Sequence, residues 1–214
     1  MSTLIGYVQQ NSPRAISEGL EAMPKINRRG ELCVIDFYTQ MVQEGRAYQL
    51  RLGTITTPVT GDVLITDANA EAVIDAGAGL IIIPVEAQVD IEALGGTLPQ
   101  VCVKAVGTVS TAGAAFVPLP LFLDDNNPKA ASRSTARVAA AGGCTVTAEA
   151  ATTTQQLYAR TLATAALEEA IWRPTMPPFV GNDGCVYLQV GSVTTGSTYF
   201  AHMNWLEMLV SVID

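Results

Sequence analysis

The sequence predicts an all-β protein, an antiparallel β-sandwich that follows an extended N-terminal arm. Short runs rich in Val, Ile, Thr, Tyr and Phe recur between turn clusters from Glu31 onward, which is typical of a sandwich or barrel rather than of βαβ units. The 214 residues suit one large domain, and a chain of this size buries roughly 70% of its surface on folding. We therefore divide the chain into an arm, residues 1–30, and a β-sandwich domain, residues 31–214.

The arm differs from the rest of the chain in charge. It carries four basic residues, Arg14, Lys25, Arg28 and Arg29, against two acidic ones, whereas the whole chain has a net charge of −8. Prolines and glycines interrupt any long helix there, so we expect an extended segment with a short turn or helix. The arm either docks on an acidic surface of a neighbouring subunit or partner, or it is a solvated lead-in to the first strand.

Nine runs of the domain have the composition of β-strands. The clearest alternates apolar side chains from Val85 to Ile91 with polar side chains from Glu86 to Asp90. That alternation predicts a half-buried antiparallel strand. The candidate strands are Leu32–Thr39, Ala47–Leu52, Asp62–Thr66, Leu80–Ile91, Val101–Val106, Ala115–Leu123, Arg137–Thr147, Val186–Val190 and Tyr199–Val212.

Prolines and one alanine-rich run modify this pattern. Pro84, Pro118 and Pro120 lie within strand-like runs and predict edge strands or bulges, because proline cannot donate to a ladder. Edges of that kind are common where subunits meet.

Residues 158–171 are rich in Ala and Leu and contain two Glu, which allows one short helix there. A hairpin of two strands is the alternative for the same residues.

Charged residues are scarce and acidic in balance. They make up 15% of the chain where about 25% is ordinary, a shortfall of about 21 residues. One side of a standard interface takes about 20 to 30 residues, so an oligomer or assembly subunit is favoured over a β-protein surface covered with Thr and Ser. The net charge of −8 argues against nucleic-acid and anionic-membrane binding.

The longest aliphatic run, Leu80–Ile83, is too short to cross a bilayer, and the start lacks a secretory signal pattern.

The cysteines and the single histidine predict core positions rather than a reactive or metal site. Cys33, Cys102, Cys144 and Cys185 are far apart, and only His202 could join them, so no zinc site is expected. Each cysteine has apolar or strand-forming neighbours, where a free thiol behaves as a small buried hydrophobe. One histidine does not suffice for multi-histidine sites, nor for Ser-His-Asp or Cys-His systems unless it serves alone. We expect a structural role for His202.

No enzyme signature stands in the sequence. It lacks the nucleophile-elbow, phosphate-loop, zincin and dinucleotide-binding motifs, so we expect neither catalysis nor a cofactor. Residues 67–71 and 124–127 carry clustered oxygen ligands of the kind that calcium prefers, although ordinary Asx turns explain both clusters more simply. Trp172 and Trp205 are expected to be core or interface anchors.

Two phrases of the domain carry a family resemblance. They are Arg51–Asp62 (RLGTITTPVTGD) and Gly113–Leu121 (GAAFVPLPL), and they follow a basic, proline-containing arm in an acidic chain rich in Thr, Ala and Gly. In these features the chain resembles the jelly-roll decoration (cement) proteins on the heads of tailed bacteriophages. The resemblance implies a jelly-roll sandwich that forms a homotrimer, binds the major capsid protein on the outside of the virion and performs no chemistry. Such a protein is made in the cytoplasm of the host bacterium.

We therefore expect a viral structural protein, a decoration subunit that stabilises the shell by bridging neighbouring capsid subunits. Its partners would be further copies of itself and the major capsid protein, with Arg14, Lys25, Arg28 and Arg29 bound to acidic surfaces. Two alternatives stay open. One is a carbohydrate- or receptor-binding β-sandwich of fibre or lectin type, and the other is a single-jelly-roll capsid protein.

Overall fold

The computed structural model describes residues 36–63, 65, 69–95, 97–124, 129–139, 143–146, 154–163, 168–181 and 183–210. These residues form a short helix and sixteen strands. The elements are α1 (Phe37–Gln43), β1 (Ala47–Leu52), β2 (Val59–Thr60), β3 (Asn69–Ala70), β4 (Ala72–Asp75), β5 (Leu80–Ala93), β6 (Thr97–Val106), β7 (Ser110–Ala112), β8 (Ala114–Phe116), β9 (Leu119–Pro120), β10 (Thr135–Val138), β11 (Cys144–Val146), β12 (Gln155–Thr161), β13 (Glu169–Trp172), β14 (Val180–Gly181), β15 (Cys185–Val193) and β16 (Thr198–Leu209).

Two antiparallel sheets form a sandwich. The 7-stranded sheet has the order β13-β5-β16-β1-β9, with β14 beside β5 and β2 beside β16. The 6-stranded sheet has the order β12-β6-β15-β4-β10-β8. The predicted all-β, antiparallel sandwich is therefore confirmed, whereas the jelly-roll connectivity stays a prediction.

The main core lies between the two sheets. It contains the inward side chains of the central strands, among them Leu50, Val89 and Leu188. The alternation predicted for residues 85–91 is confirmed from Ala87 onward, since Ala87, Val89 and Ile91 are buried while the polar residues between them are half-buried. It is wrong at Val85, which lies at a register shift and packs with the cluster on the outer face of the sheet. Trp172 and Trp205 both belong to this core, so they anchor the fold.

The outer face of each sheet is partly covered by another element. α1 packs on the 7-stranded sheet, where Met41 joins Ala47, Ile83 and Leu206 in a small cluster. A 3-stranded sheet, β3-β11-β7, packs on the 6-stranded sheet through a second cluster that contains Cys144. Strand β15 is consequently buried along most of its length on both faces. No helix among the described residues is long and apolar enough to span a bilayer.

The edges of the two sheets meet on opposite sides of the sandwich. On one side, the Arg160 guanidinium of β12 donates to the Glu169 carbonyl of β13 at 3.0 Å. β14 lies on this side as well, because Ile82 of β5 pairs with Val180 on one edge and with Glu207 of β16 on the other. On the opposite side, residues 117–118 join β8 to β9. We call these the β12/β13 side and the β8/β9 side.

The strand predicted at Leu32–Thr39 is wrong over its described part, where α1 begins. Asp36 caps this helix, because its Oδ1 accepts a hydrogen bond from the backbone N–H of Thr39 at 3.0 Å. Met41 then buries the inward face of the helix against the sheet. The cap and this packing outweigh the β-propensity of Phe37, Tyr38 and Thr39.

Three other predicted elements are also corrected. Within the predicted helix of residues 158–171, residues 158–161 and 169–171 are strand rather than helix, and since β12 and β13 belong to different sheets they do not form a hairpin with each other. The predicted strand Arg137–Thr147 is divided between β10 and β11, which also lie in different sheets. In the predicted strand Asp62–Thr66, Asp62 makes only an isolated parallel bridge to Gly191, and residues 64 and 66 lie outside the described residues.

The predictions made from Pro84 and Pro120 agree with the fold. Pro84 lies at a register shift between β5 and β16, since Asn204 pairs with Glu86 and the next residue, Trp205, pairs with Pro84. Pro120 lies on β9, the edge strand of its sheet. Pro118 falls between β8 and β9 rather than within a strand. The predicted strand Ala115–Leu123 is therefore two short edge strands.

Candidate interaction surfaces

The segment of residues 113–123 crosses the whole β8/β9 side. Its first part pairs with β10 through Ala114–Phe116, and its second part pairs with β1 through Leu119–Pro120. The backbone N–H of Leu121 also donates to the Ala47 carbonyl at 2.9 Å. The segment is thus held against both sheets by its backbone.

A neighbouring loop, residues 129–134, fixes the end of this segment. The Lys129 ammonium lies 4.7 Å from the centre of the Phe122 ring, a cation–π contact. The loop itself is tied to β16, because the buried Glu207 carboxylate accepts hydrogen bonds from the Ser134 N–H at 3.2 Å and the Ser134 hydroxyl at 2.7 Å. Tyr48 adds to this anchor, since its hydroxyl lies 2.9 Å from the Ala130 carbonyl.

Five residues of the 113–123 segment, Ala114, Ala115, Val117, Leu119 and Leu123, are exposed, whereas Phe116 and Leu121 pack against the core clusters, and the segment has no charged residue. Val117 is 82% exposed and Leu123 is 88% exposed, and none of the eleven residues is buried. Soluble monomers expose single apolar residues routinely, but a contiguous exposed apolar run marks an interaction site. The 113–123 segment is therefore the first candidate interaction surface.

β8 is also an edge strand with little protection against pairing with another chain. On β12, Arg160 and a register shift at Gln156 hinder pairing with another chain, and the exposed Glu169 does the same on β13. Pro120 guards β9. β8 consists of Ala114, Ala115 and Phe116, so it has neither charge nor proline. Only its short length limits pairing with another chain.

A second apolar surface lies on the β12/β13 side. Residues 174–179, Pro-Thr-Met-Pro-Pro-Phe, connect β13 to β14 and form what we call the proline loop. Met176 is 87% exposed and Phe179 is 64% exposed. Three prolines restrict the backbone of this loop, so its exposed side chains are presented at a low entropic cost of ordering.

A groove of about 220 Å³ lies beside the proline loop. It is lined by Ala105–Gly107 at the end of β6, by Gln155 of β12, by Phe179–Gly181 and by Gly184. None of these residues is charged, and both polar and apolar atoms line the open groove, so it suits an uncharged side chain rather than an ionic ligand.

The outer face of the 7-stranded sheet carries a polar network next to α1. Asn204 is at its centre, since its Oδ1 accepts from Gln49 Nε2 at 3.0 Å and its Nδ2 donates to Glu86 Oε2 at 2.9 Å. Arg173 Nε donates to Glu86 Oε1 at 2.6 Å. His202 Nε2 lies 3.8 Å from Glu86 Oε2, so the histidine is a half-buried member of this network. We call this network the polar face.

The first acidic cluster places Glu71 in the protein interior. Its Oε1 accepts a hydrogen bond from the Asp62 backbone N–H at 3.1 Å, and the buried Tyr199 ring lies beside it. Burial, with a further contribution from the Asp62 carboxylate, raises the pKa of Glu71 to about 7. Residues 67–68 and 125–127 of the two clusters lie outside the described residues. Within the described ranges, no group of three or more His, Cys, Asp or Glu side chains could hold a metal ion.

The thiols that the structure describes are core groups. Cys102, Cys144 and Cys185 are buried, as predicted, and burial raises the pKa of Cys144 to about 11. A thiol with such a pKa is almost fully protonated at neutral pH, so it is a poor nucleophile. Cys33 lies outside the described residues.

The predicted partner-binding residues Arg14, Lys25, Arg28 and Arg29 also lie outside the described residues. Sequence reasoning missed Met176 and Phe179, although an uncharged run with three prolines was a readable signal. It used Gly113–Leu121 only for the family resemblance and predicted edge strands or bulges at its prolines, without predicting an exposed surface there. Comparison of the chain with family models, curated proteins and solved structures finds no match.

Proposed function

We propose that this chain is a structural subunit of a tailed-bacteriophage head, a decoration protein that binds the outer shell and stabilises it without catalysis. The observation that carries the proposal is the exposed, uncharged 113–123 segment, which the backbone pairing to both sheets holds in place. A fixed apolar surface of this kind serves protein association. The resemblance to jelly-roll decoration proteins indicates the assembly that this surface would bind, the head of a tailed bacteriophage.

The scarcity of charge supports an assembly role. Only 15% of residues are charged, and charge depletion marks the centres of protein interfaces. The proline loop adds a second uncharged surface on the other side of the sandwich. A chain with two such surfaces is suited to bind several neighbours at once, and linked contacts give an avidity that no single contact supplies.

The proposal is tested on heads of the phage whose genome carries this gene, prepared with the gene deleted. Purified chain is added, and its binding to the heads is measured by co-sedimentation. We expect saturable binding and an increase in the temperature at which the heads release DNA. Heads that bind no added chain, with an unchanged release temperature, would overturn the proposed function.

The basic arm is expected to contribute to attachment. The double charge reversal R28E/R29E should reduce head occupancy at least several-fold, because the arm would then be repelled by acidic partner surfaces. The unfolding temperature of the domain should be unchanged. The single reversal R51E, on an exposed residue of the domain, is the matched control for the single reversal R28E. Equal occupancy of R28E/R29E and the unmodified chain would remove the arm from the attachment mechanism.

A second candidate function, a carbohydrate- or receptor-binding β-sandwich, is favoured by the polar face. Its amide, carboxylate and guanidinium groups are of the type that hydrogen-bond sugar hydroxyls, and α1 carries the exposed aromatic rings Phe37 and Tyr38 on the same side of the sheet. A glycan array probed with the purified chain and with N204A decides between the two functions. Binding that N204A abolishes would favour this second candidate over head decoration.

A further inference from the structure

We propose that copies of this chain associate head to tail, with the 113–123 segment of one copy seated against the proline loop and groove of the next. This inference rests on the proposed function in that it takes the chain to be a self-assembling subunit. It adds where the copies meet and which surface meets which.

The placement of the two apolar surfaces carries the inference. The 113–123 segment lies on the β8/β9 side, and the proline loop and its groove lie on the β12/β13 side, at opposite ends of both strand orders. An interface that joined the 113–123 segment to its own copy would leave Met176 and Phe179 exposed. A head-to-tail contact covers both surfaces with one kind of interface.

The shapes and chemistry of the two surfaces are complementary. The 113–123 segment presents protruding apolar side chains, above all Val117 and Leu123, whereas the opposite side offers a concave, uncharged groove next to Phe179. Insertion of apolar side chains into such a groove is the arrangement found at the centres of stable interfaces.

Charge also favours this pairing over others. Each copy carries a net charge of −8, so copies repel each other unless they meet through uncharged surfaces. The two surfaces are bordered by charges of opposite sign, since the Lys129 ammonium contacts Phe122 of the 113–123 segment, and the exposed Asp183 lies in sequence between the groove residues Gly181 and Gly184. Head-to-tail contact brings these opposite charges to the same border.

A head-to-tail contact closes into a ring when the rotation between successive copies is a whole fraction of a turn without translation along the axis, and otherwise it continues as a filament. A closed ring gives every copy the same two contacts and a single discrete mass. A closed ring of three copies is the homotrimer that the resemblance implies. It differs from a two-fold dimer, in which one surface would pair with itself.

The test uses two double variants of the full chain. V117D/L123D places carboxylates on the β8/β9 side, and M176D/F179D places them on the β12/β13 side. All four residues are exposed, so we expect both variants to retain the circular dichroism and unfolding temperature of the unmodified chain. I55D/V63D, at two other exposed apolar residues, is the matched control and should retain the native mass.

We expect each double variant alone to have the mass of one chain by light scattering. Mixed in equal amounts, they should form a complex of two chains, because the intact surface of one variant meets the intact surface of the other and the ring cannot close. This recovery by mixing is the result that head-to-tail association requires.

Three results would overturn the inference. The mixture could stay monomeric, M176D/F179D alone could keep the mass of the unmodified chain, or V117D/L123D could keep that mass while losing attachment to heads. The second result would indicate a two-fold interface through the 113–123 segment, and the third would assign the segment to a capsid subunit. In each case head binding by the unmodified chain still tests the proposed function separately.

Discussion

Replacement of Glu207 by alanine is expected to lower the free energy of unfolding by about 4 kcal/mol, because it leaves several buried donors without an acceptor. The carboxylate accepts hydrogen bonds from the backbone N–H groups of Arg133 and Ser134 at 3.0 and 3.2 Å. It also accepts from both serine hydroxyls of the loop and from the Trp205 indole, whose Nε1 is 3.3 Å from Oε1. Each orphaned buried donor costs about 1 to 3 kcal/mol, reduced where water can enter.

The conservative variant E207Q keeps the size and shape of the side chain but removes its negative charge. Its amide would place an NH₂ group against at least one N–H donor that Glu207 now satisfies, so we expect an intermediate loss of about 2 kcal/mol. The exposed Glu92 on β5 provides the control, and E92A should change stability by less than about 0.5 kcal/mol. Urea unfolding followed by tryptophan fluorescence measures all three. A loss below about 1 kcal/mol in E207A would mean that Glu207 does not anchor the 129–134 loop.

Replacement of Glu71 by glutamine is expected to stabilise the protein at pH 8 and to have little effect near pH 4.5. Burial and the Asp62 carboxylate raise the pKa of Glu71 from 4.5 to about 7, so the folded protein holds a proton here that the unfolded chain releases between these values. The contribution of Glu71 to the free energy of unfolding therefore falls by about 3 kcal/mol as the pH rises from about 4.5 to about 7, and it stays constant at higher pH.

Glutamine removes this cost while keeping an acceptor for the Asp62 N–H. The expected gain of E71Q over the unmodified chain is thus about 2 to 3 kcal/mol at pH 8. Because other carboxylates titrate in both proteins, the quantity to measure is the difference between the two unfolding free energies at each pH. E92Q, on an exposed glutamate, should show no such pH-dependent difference. An E71Q difference that is the same at pH 5 and pH 8 would contradict the raised pKa.

Local sequence pattern predicts the long strands of this fold well and the short ones poorly. β1 has the predicted bounds Ala47–Leu52, and most of β5 and β16 was predicted as strand, because long alternating or apolar runs bury one face of a sheet. The two-residue strands β2, β3, β9 and β14 depend on contacts with distant partners, which no local window contains. At α1, the Asp36 cap and the burial of Met41 decide against the β-propensity of the flanking residues.

For a related reason, the sequence predicts the uncharged composition of the candidate surfaces but not their exposure. Sequence shows that residues 113–123 and 174–179 lack charge, but an uncharged run is equally suited to a core. Whether Val117 or Phe179 is exposed depends on the sheet order, which places both segments at edges. The polar face is likewise invisible locally, because Gln49, Glu86 and Asn204 are brought together only by the register of three strands.

Self-association is the central claim, and the native mass of the unmodified chain tests it most directly. Light scattering at micromolar concentration should give a single discrete mass three times that of the 22.5 kDa chain. That result would explain the scarcity of charge by buried interface and would match the head-to-tail ring. A monodisperse species of 22.5 kDa across the concentration range would contradict self-association.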